Sequence, residues 1–313
     1  MQTPRLINPA ALADAELGAI YALRRAGRLG TAPDEALASV AEMIAQSRWR
    51  PKAYEVSEWV IEGGYAQLHR FAGNPDCNAE LVIAPEARRR GLGTQFVRFL
   101  SEQARAAGCT ILVGAFPDEG GAAFAASLGA RIGNTKLVST MPLPPAAGLE
   151  PVPVPGYTIR SWLGEPPEEL LESWVRAVNA VNDAPHSAGL GGWVMTTEYV
   201  RDTVARMADR GIQFYVAVAL DGQGEVAGST EIQVGVAPRS IAQTRITAVL
   251  AEHRRRGLAS WLKAESLAAL TAARPDVALV RTSNDASNTG MLAVNHAVGF
   301  KTVASYTSAV LDL

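Results

Sequence analysis

The sequence predicts an α/β protein made of two tandem domains, each with a mixed, mostly antiparallel sheet flanked by helices. The pentapeptide Arg-Arg-Arg-Gly-Leu occurs twice, at residues 88–92 and 254–258, with an offset of 166 residues. Each copy lies between an apolar, β-rich run and a helical run. Six prolines lie between the copies, within residues 142–155. A long-period repeat indicates a duplicated domain, and 313 residues are enough for two hydrophobic cores.

The first domain is predicted to occupy residues 1–147 and to be followed by a linker at 148–156, because clustered prolines favour an extended spacer. Its predicted elements, in chain order, are helices within 8–47, strands at 53–59, 60–71 and 78–84, a helix at 94–107, a strand at 110–115, a helix at 121–128 and a strand at 131–141. Gly63-Gly64 suits the turn of a hairpin. No strand is evident before the first helices.

The second domain is predicted to occupy residues 157–313. Its predicted elements are a strand at 157–162, helices at 167–181 and 196–209, strands at 212–220, 225–236 and 245–250, a helix from 260, a strand at 277–282, a helix at 287–298 and a strand at 300–310. The turn sequence Asp221-Gly222-Gln-Gly224 favours a hairpin between the strands at 212–220 and 225–236. The glycine-rich loop at 189–192 is expected to form part of a substrate opening.

Composition bounds the classes of function. A hydrophobic content of 48%, a charged content of 19% and a net charge of −2 are typical of a globular protein and argue against a general nucleic-acid binder. The sequence has no apolar run long enough to span a bilayer and no signal-peptide layout at its start. Cys77 and Cys109 form no framework or metal pattern. We therefore expect a cytoplasmic protein with two reduced thiols, no metal, and no membrane or nucleic-acid partner.

The repeated basic turn is suited to bind a pyrophosphate or a similar polyanion. The first amides of a helix lack intrahelical partners, and the helix dipole adds positive potential there. A glycine lets the backbone approach an anion closely, and arginines add charge. The predicted phosphate-binding residues are Arg88, Arg89, Arg90, Gly91, Leu92, Gly93 and Thr94 in the first copy, and Arg254, Arg255, Arg256, Gly257, Leu258, Ala259 and Ser260 in the second. The alternative is a solvated basic turn that only caps a helix.

The motif Arg-x-x-Gly-x-Gly/Ala between a strand and a helix resembles the acetyl-coenzyme A pyrophosphate loop of the GNAT (Gcn5-related N-acetyltransferase) family. The segment from Asn288 to Gly299-Phe300 resembles the fourth helix of that family. The tandem arrangement is similar to the mycothiol synthase type, on the segments at 79–85, 128–131 and 141–144. This resemblance implies two GNAT-like domains, acetyl-CoA as acyl donor, and a pantetheine arm between two central strands that splay apart.

The resemblance also implies which other residues contact the donor. The strand backbone at Val249 and Leu250 would contact the thioester, and Ile83 and Ala84 are the equivalent residues in the first copy. Asn284 and Asn288 would hydrogen-bond the pantetheine arm, or Asn288 would instead cap the helix that follows it.

The implied reaction is direct transfer of an acetyl group from the thioester to an amine, which must first lose a proton. Glu231 lies in a β-rich run, where burial would raise its pKa and make it a general base; the alternative is an exposed strand carboxylate. His253 has a suitable pKa but is expected to be a solvated loop residue. Glu80 of the first copy is a candidate base, a surface charge or an interdomain contact.

The general acid is where the sequence departs from the family. Many GNAT enzymes have a tyrosine seven residues after the helix asparagine, and here that position is Asn295, which is followed by His296. His296 is the candidate acid, and Tyr306 is a more distant one. The first copy has Ala125 at the equivalent position, which supports no proton chemistry. We therefore expect the first copy to be degenerate and the second to be catalytic.

These observations predict an acetyl-CoA-dependent N-acetyltransferase. The expected acceptor is the primary amine of a small molecule, such as an amino-sugar conjugate, an antibiotic or another metabolite. The alternative is a non-catalytic acyl-CoA-binding or interaction protein built on the same fold, which the missing tyrosine favours. A monomer or a homodimer is expected.

Overall fold

A computed structural model describes residues 3–30, 32–34, 37–48, 54–71, 75–145, 149–183, 194–236 and 241–313. The chain forms two compact units. The first unit contains Met1–Lys136 and Ala304–Leu313, and the second unit contains Leu137–Val303. The predicted α/β class, with helices flanking mixed strands, is confirmed. The units are divided differently from the sequence domains 1–147 and 157–313, because the end of the chain belongs to the first unit.

The first unit begins with a strand that the sequence did not reveal. Its strands are β1 (Arg5–Ile7), β2 (Tyr54–Ile61), β3 (Gly64–Phe71), β4 (Asp76–Ile83), β5 (Ile111–Phe116) and the start of β6 (Arg131–Pro142). Its helices are α1 (Asp14–Leu29), α2 (Val40–Arg48), α3 (Leu92–Ala106) and α4 (Glu119–Ser127). Strand β1 pairs antiparallel with β2, although its three residues are too few to show an alternating pattern.

The second unit follows the predicted order of elements. Its strands are the end of β6, β7 (Thr158–Leu163), β8 (Ile212–Leu220), β9 (Val226–Gly235), β10 (Ala242–Val249), β11 (Leu279–Asp285) and the start of β12 (Lys301–Asp312). Its helices are α5 (Glu168–Asn179), α6 (Thr197–Asp209), α7 (Leu258–Ala273) and α8 (Thr289–Ala297). The strand order in this unit is β6-β11-β10-β9-β8-β7. The loop predicted at 189–192 lies outside the described residues.

The last strand of the chain contributes to the first unit. Residues Thr307–Asp312 of β12 pair antiparallel with β5, and the amide of Leu313 donates to the Thr110 carbonyl at 2.9 Å. The sequence assigned all of this strand to the second domain. Periodicity identified the strand but not its partner, because strand pairing across about 200 residues is decided by tertiary packing rather than by local pattern.

Deleting Ala304–Leu313 is therefore expected to destabilise the first unit. Strand β5 would lose a hydrogen-bonded neighbour, so its amides should exchange with solvent more than about tenfold faster, while those of β8 are unchanged. Hydrogen–deuterium exchange with mass spectrometry measures both segments in one experiment. Faster exchange confined to the second unit would contradict this assignment of the last strand.

Two parallel strands splay apart in each unit. Strand β10 pairs with β11 through Ala242↔Val280 and Gln243↔Arg281, at the start of both strands. Strand β10 then continues to Val249 and β11 to Asp285. A register shift between Thr244 and Thr247 marks a bulge on β10. In the first unit β4 and β5 pair only over their first three residue pairs. A cleft therefore opens between the carboxyl ends of β10 and β11. We call the end of the cleft where these two strands are still paired the closed end.

The two faces of the second unit carry different helices. Val216 and Val218 of β8 pack with Trp174 of α5 and with residues of α6. The alternate residues Ala217 and Ala219 pack against α7. Because side chains alternate across a strand, each residue of β8 and of its neighbours can be assigned to the α5 face or to the α7 face of the sheet.

The expectation of two reduced thiols is wrong for this structure, in which Cys77 and Cys109 form a disulfide with a Cα–Cα distance of 6.1 Å. Both are buried. Cys77 lies on β4 and Cys109 shortly precedes β5, so the register of these two strands brings them together; sequence spacing contains no such information. Among the described residues, no three His, Cys, Asp or Glu side chains are grouped to hold a metal, and no helix is long and apolar enough to cross a bilayer.

Candidate active site

The two basic turns have the same backbone conformation. Gly257 has φ +89° and Arg255 has φ +59° in the second unit, and Gly91 has φ +80° and Arg89 has φ +61° in the first. Both glycines lie in the left-handed region, where a side chain would be strained. Because both positive φ values recur at the same positions, the two loops share one backbone geometry. We call each of them the phosphate loop of its unit, after the ligand that the sequence predicts.

Each phosphate loop presents amides that the following helix does not use. The amide of Trp261 donates to the Gly257 carbonyl at 3.1 Å, and that of Gln95 donates to the Gly91 carbonyl at 3.0 Å. These are the first bonds of helices α7 and α3, so the preceding amides point out from the helix start. Free amides at a helix start, together with the helix dipole, are suited to bind an anion. The six arginine side chains of the two loops are exposed around these sites.

The first arginine of each loop is tied to the preceding strand. Arg254 Nε donates to the Val249 carbonyl at 2.9 Å, and Arg88 Nε donates to the Ile83 carbonyl at 3.0 Å. Arg254 also forms an ion pair with Asp183 at 2.5 Å. These bonds anchor the loop, whereas the second and third arginines of each loop are exposed. The bonds also occupy two of the carbonyls expected to contact the thioester.

The backbone of Leu250 is also partly engaged. Its amide donates to the Ala227 carbonyl at 2.9 Å, and its carbonyl accepts from the His253 amide at 2.9 Å. Ala84, its equivalent in the first unit, donates to the Gly63 carbonyl at 2.9 Å. The structure therefore places Val249 and Leu250 at the mouth of the cleft, with part of their hydrogen-bonding capacity already used.

The proline-rich segment packs beside the second phosphate loop. The hydroxyl of Tyr157 lies 2.8 Å from Nδ1 of His253, and the two rings meet edge to face at 5.7 Å. A Cβ on Gly257 would lie 3.7 Å from the Val154 side chain. His253 is therefore half-buried and bonded, rather than the solvated loop residue that the sequence suggested.

Glu231 lies buried on the α5 face of the second unit. Its side chain is opposite Val216 in the β8–β9 register and the residue is 3% exposed. Oε2 of Glu231 lies 3.5 Å from Nε of Arg245, which is an ion-pair distance without an aligned hydrogen bond. Burial raises the pKa of Glu231 to about 7, against the opposing effects of Arg245 and of the Ile246 amide. The alternative of an exposed strand carboxylate is wrong.

The equivalent position in the first unit carries glutamine. Gly64 faces Ile83 in the first unit as Gly228 faces Val249 in the second. Three residues further along each strand, Gln67 stands where the second unit has Glu231. A glutamine side chain cannot accept an amine proton at neutral pH.

Glu80 of the first unit is held in an ion pair. Arg24 donates to its two carboxylate oxygens at 3.0 and 2.5 Å and contacts Gln67 as well. Burial alone would raise the pKa of Glu80, but the charge and hydrogen bonds of Arg24 outweigh it and lower that pKa. Nearby, the hydroxyls of Tyr21 and Tyr65 donate to buried Glu58 at 2.8 and 3.1 Å. Sequence reasoning missed this network because α1 supplies Tyr21 and Arg24 from a distant part of the chain.

The predicted residues on helix α8 and near it lie in different environments. Asn288 caps the helix by accepting from the Met291 amide at 3.1 Å. Asn295 is fully buried and donates to Asn284 Oδ1 at 2.6 Å.

The two candidate acids lie elsewhere. His296 is exposed, unlike the buried Asn295 beside it. Tyr306 belongs to the first unit, where the Arg28 guanidinium lies 6.0 Å from its ring. Neither His296 nor Tyr306 is brought to the interior of the second unit.

Comparisons with known proteins agree with this geometry. Residues 47–130 match the family model of the acetyltransferase (GNAT) family. A solved tandem GNAT protein from the clavulanic acid biosynthesis pathway is 26% identical, with 99% of this chain and 98% of that chain covered and a TM-score of 0.78. A GCN5-related N-acetyltransferase from Sphaerobacter thermophilus is 21% identical, with 96% and 94% covered and a TM-score of 0.71. The comparison with curated proteins found no match. The predicted tandem GNAT fold is confirmed.

Proposed function

Starting from a tandem GNAT N-acetyltransferase, we propose that the second unit of this chain transfers an acetyl group from acetyl-CoA to the primary amine of a small molecule. The observation that carries this proposal is Glu231. It is buried on β9, next to the strand that lines the cleft, and its pKa is raised to about 7. A general base works best when its pKa lies near the working pH.

The second phosphate loop binds the coenzyme through its backbone amides. The pyrophosphate lies at the start of α7, where the helix dipole and the exposed side chains of Arg255 and Arg256 supply positive potential. From there the pantetheine arm runs into the cleft between β10 and β11. Strand pairing closes the far end of this cleft at Ala242↔Val280, so the thioester stops beside the bulge on β10.

The acetyl group then passes directly to the acceptor. An alkyl amine with a pKa of roughly 10 is protonated at neutral pH, and Glu231 takes its proton directly or through a water. The free amine attacks the thioester carbonyl and the C–N bond forms. The nitrogen gives its second proton to solvent, and the C–S bond breaks to release the CoA thiolate. Among the described residues, Ser229 Oγ lies buried on the same face as Glu231 without a hydrogen-bond partner. It offers a polar contact to a bridging water or to the acceptor.

The first unit binds coenzyme in this proposal but does not catalyse transfer. Its phosphate loop has the same positive φ values as the second. However, Gln67 replaces the base, Glu80 is paired with Arg24, and Ala125 stands at the position of the usual acid. The loop from Ile83 to Thr94 would hold acetyl-CoA as a structural or regulatory ligand.

The acceptor class stays broad. An amino-sugar conjugate, an antibiotic or another amine metabolite fits equally, and residues that would select among them include the loop after Asp183, most of which lies outside the described residues. Incubation of the protein with acetyl-CoA and a panel of such amines, with thiol release and product mass as readouts, tests the proposal. A single acetylated amine formed in proportion to released CoA supports it.

A second candidate function is favoured by one observation. Asn295 stands where many GNAT enzymes have a tyrosine acid, so the chain could bind acyl-CoA without turning it over. That function requires acetyl-CoA binding with no amine-dependent release of CoA across the panel. Loss of Glu231 would then leave every measured property of the coenzyme complex unchanged.

Arg245 sets the pH range of the base in this mechanism. Its charge opposes the effect of burial on Glu231. Because the base acts when deprotonated, kcat/KM should rise with pH through about 7. In Arg245→Met the pKa of Glu231 should rise further, so the acidic limb should move to higher pH. Arg281→Met, on neighbouring β11, is the control. If the acidic limb did not shift in Arg245→Met, Arg245 would not control the pKa of Glu231.

A further inference from the structure

Lys263 is a buried cation that the proposed mechanism has not used. It lies on α7 and is 3% exposed. Its ammonium lies 5.6 Å from the ring centroid of Phe300. Across the part of the chain that the structure describes, no carboxylate lies within ion-pair distance of it. A buried, unpaired ammonium is costly unless a ligand or a reacting group compensates for it.

The contact with Phe300 places Lys263 near the closed end of the cleft. Helix α7 starts at the phosphate loop, and Lys263 follows Ala259 by four residues, so both lie on one helix face. The flanking residues Leu262 and Leu267 are buried against the sheet. Phe300 packs in one cluster with Ala242 and Val280, the pair that closes the cleft. The pantetheine arm runs from the loop toward this same closed end.

The α7 face of the sheet carries polar but uncharged side chains along the cleft. On the α7 face of the sheet, the hydroxyls of Thr230 and Thr247 lie 2.7 Å apart. Strand β11 adds buried Thr282 and, two residues on, Asn284, which bonds Asn295 of α8 at 2.6 Å. Glu231 and Arg245 lie on the opposite face of the sheet. The Oδ1 atom of Asn295, buried and described without a hydrogen-bond partner, leaves an acceptor open in this region.

We propose that Lys263 donates a proton to the departing CoA thiolate, in place of the tyrosine that Asn295 does not supply. This inference rests on the proposed function. Glu231 takes the amine proton on one face of the sheet while the C–N bond forms. The C–S bond then breaks, its electron pair stays on sulfur, and the Lys263 ammonium gives sulfur a proton. The nitrogen gives its second proton to solvent, so the products are the amide, CoA thiol, protonated Glu231, neutral Lys263 and one solvent proton. Proton exchange with solvent then restores both side chains.

The chemistry of Lys263 fits this role. Burial lowers its pKa to about 8, which is close to the ordinary thiol pKa of about 8.5. A proton donor matched to its acceptor transfers the proton with little driving force in either direction. The repeat offset of 166 residues places Val97 at the equivalent position of the first unit. The unit that lacks a base therefore also lacks this donor.

The test compares Lys263→Met with Lys263→Arg in the acetyl-transfer assay. Lys263→Met should lower kcat about 10- to 100-fold at pH 7, near the low end of general-acid effects because a thiolate leaves readily. The KM for acetyl-CoA should change less than about twofold, and the thermal midpoint should rise, because a buried unpaired charge is removed. Lys263→Arg keeps the charge but does not release its proton, so it should lose kcat as well.

Lys301→Met, an exposed lysine next to Phe300, is the matched control and should behave as wild type. The wild-type kcat should fall above pH about 8, and this basic limb should disappear in Lys263→Met. Unchanged kcat in Lys263→Met, full activity of Lys263→Arg, or a lowered thermal midpoint with an unchanged pH profile would overturn the inference while leaving the proposed function intact. If Lys263→Met instead preferred acetyl-CoA over a carboxylated acyl-CoA more strongly than wild type does, Lys263 would select the acyl donor. That result would also overturn the inference. Absence of any wild-type turnover would overturn both proposals.

Discussion

Glu231→Gln is expected to lower kcat for amine acetylation by about 10²- to 10⁴-fold, the range for loss of a positioned general base. Glutamine keeps the shape of the side chain but cannot take the amine proton. The KM for acetyl-CoA should stay within about twofold, because Glu231 lies on the α5 face rather than at the phosphate loop. Steady-state kinetics with a fixed amine, at pH 8 where wild-type Glu231 is mostly ionised, measures both constants.

The first unit supplies the matched control for this experiment. Glu80→Gln removes the other strand carboxylate, but Glu80 is held by Arg24 and its pKa is lowered, so kcat should change little. Gln67→Glu would place a carboxylate at the equivalent position of the first unit. It should not create activity, because Ala125 and Val97 leave that unit without a proton donor. Loss of kcat in Glu80→Gln comparable to that in Glu231→Gln would contradict the assignment of catalysis to the second unit.

Gly257→Glu is expected to weaken acetyl-CoA binding to the second unit by more than about 100-fold. The substitution adds a side chain at φ +89°, which costs roughly 1–2 kcal/mol for a non-glycine residue. It also places a negative charge where the pyrophosphate should lie, against the effect of the helix dipole. Isothermal titration calorimetry gives the dissociation constant and the number of sites. Circular dichroism confirms that the variant is folded.

Two further variants separate charge from backbone strain. Gly257→Asn adds a side chain that tolerates the left-handed conformation and carries no charge, so it should weaken binding far less than the glutamate. Gly91→Glu makes the same change in the first unit, at φ +80°, and should remove one binding event while leaving the other. Equal affinities for the glutamate and the asparagine variants would show that charge at this position does not matter, against the phosphate-loop assignment.

The repeated loop is the part of the site that the sequence predicted best. Its chemistry is local, because a glycine with positive φ, a helix start and flanking arginines all lie within seven residues. The pentapeptide therefore predicted a glycine-containing turn before a helix in both copies. The positive φ values of Arg89, Gly91, Arg255 and Gly257 come from the structure. The cleft beyond the loop depends on how far β10 and β11 pair, and the sequence could give only the two strands.

The remaining site residues depend on contacts between distant segments. Glu231 was predicted as a charge within a β-rich strand, but its contact with Arg245, which lies at the bulge on β10, was not predicted. The sequence did not indicate a role for Lys263, because lysine side chains are usually exposed. The sequence also did not predict the ion pair of Arg24 with Glu80, because these residues are 56 positions apart. Local pattern predicts which residues share a face, and only packing decides which of them meet.

The two units have similar sheets but differ in the functions that we propose for them. The phosphate loop is retained in both units, whereas the residues suited to move protons, Glu231 and Lys263, occur in one. Gln67 keeps the size and the burial of the Glu231 position, whereas Val97 is smaller than lysine and only half-buried, and neither side chain has the proton chemistry. This difference is what a duplicated domain would show if one copy kept coenzyme binding and the other kept catalysis as well.

The most direct test of this account measures amine-dependent CoA release by wild type, Gly257→Glu and Gly91→Glu, with the acetylated amine quantified by mass spectrometry. We expect wild type and Gly91→Glu to form product in proportion to released thiol, and Gly257→Glu to form less than about one hundredth as much. Activity that survives in Gly257→Glu and is lost in Gly91→Glu would contradict the account, because acetyl transfer would then take place in the first unit.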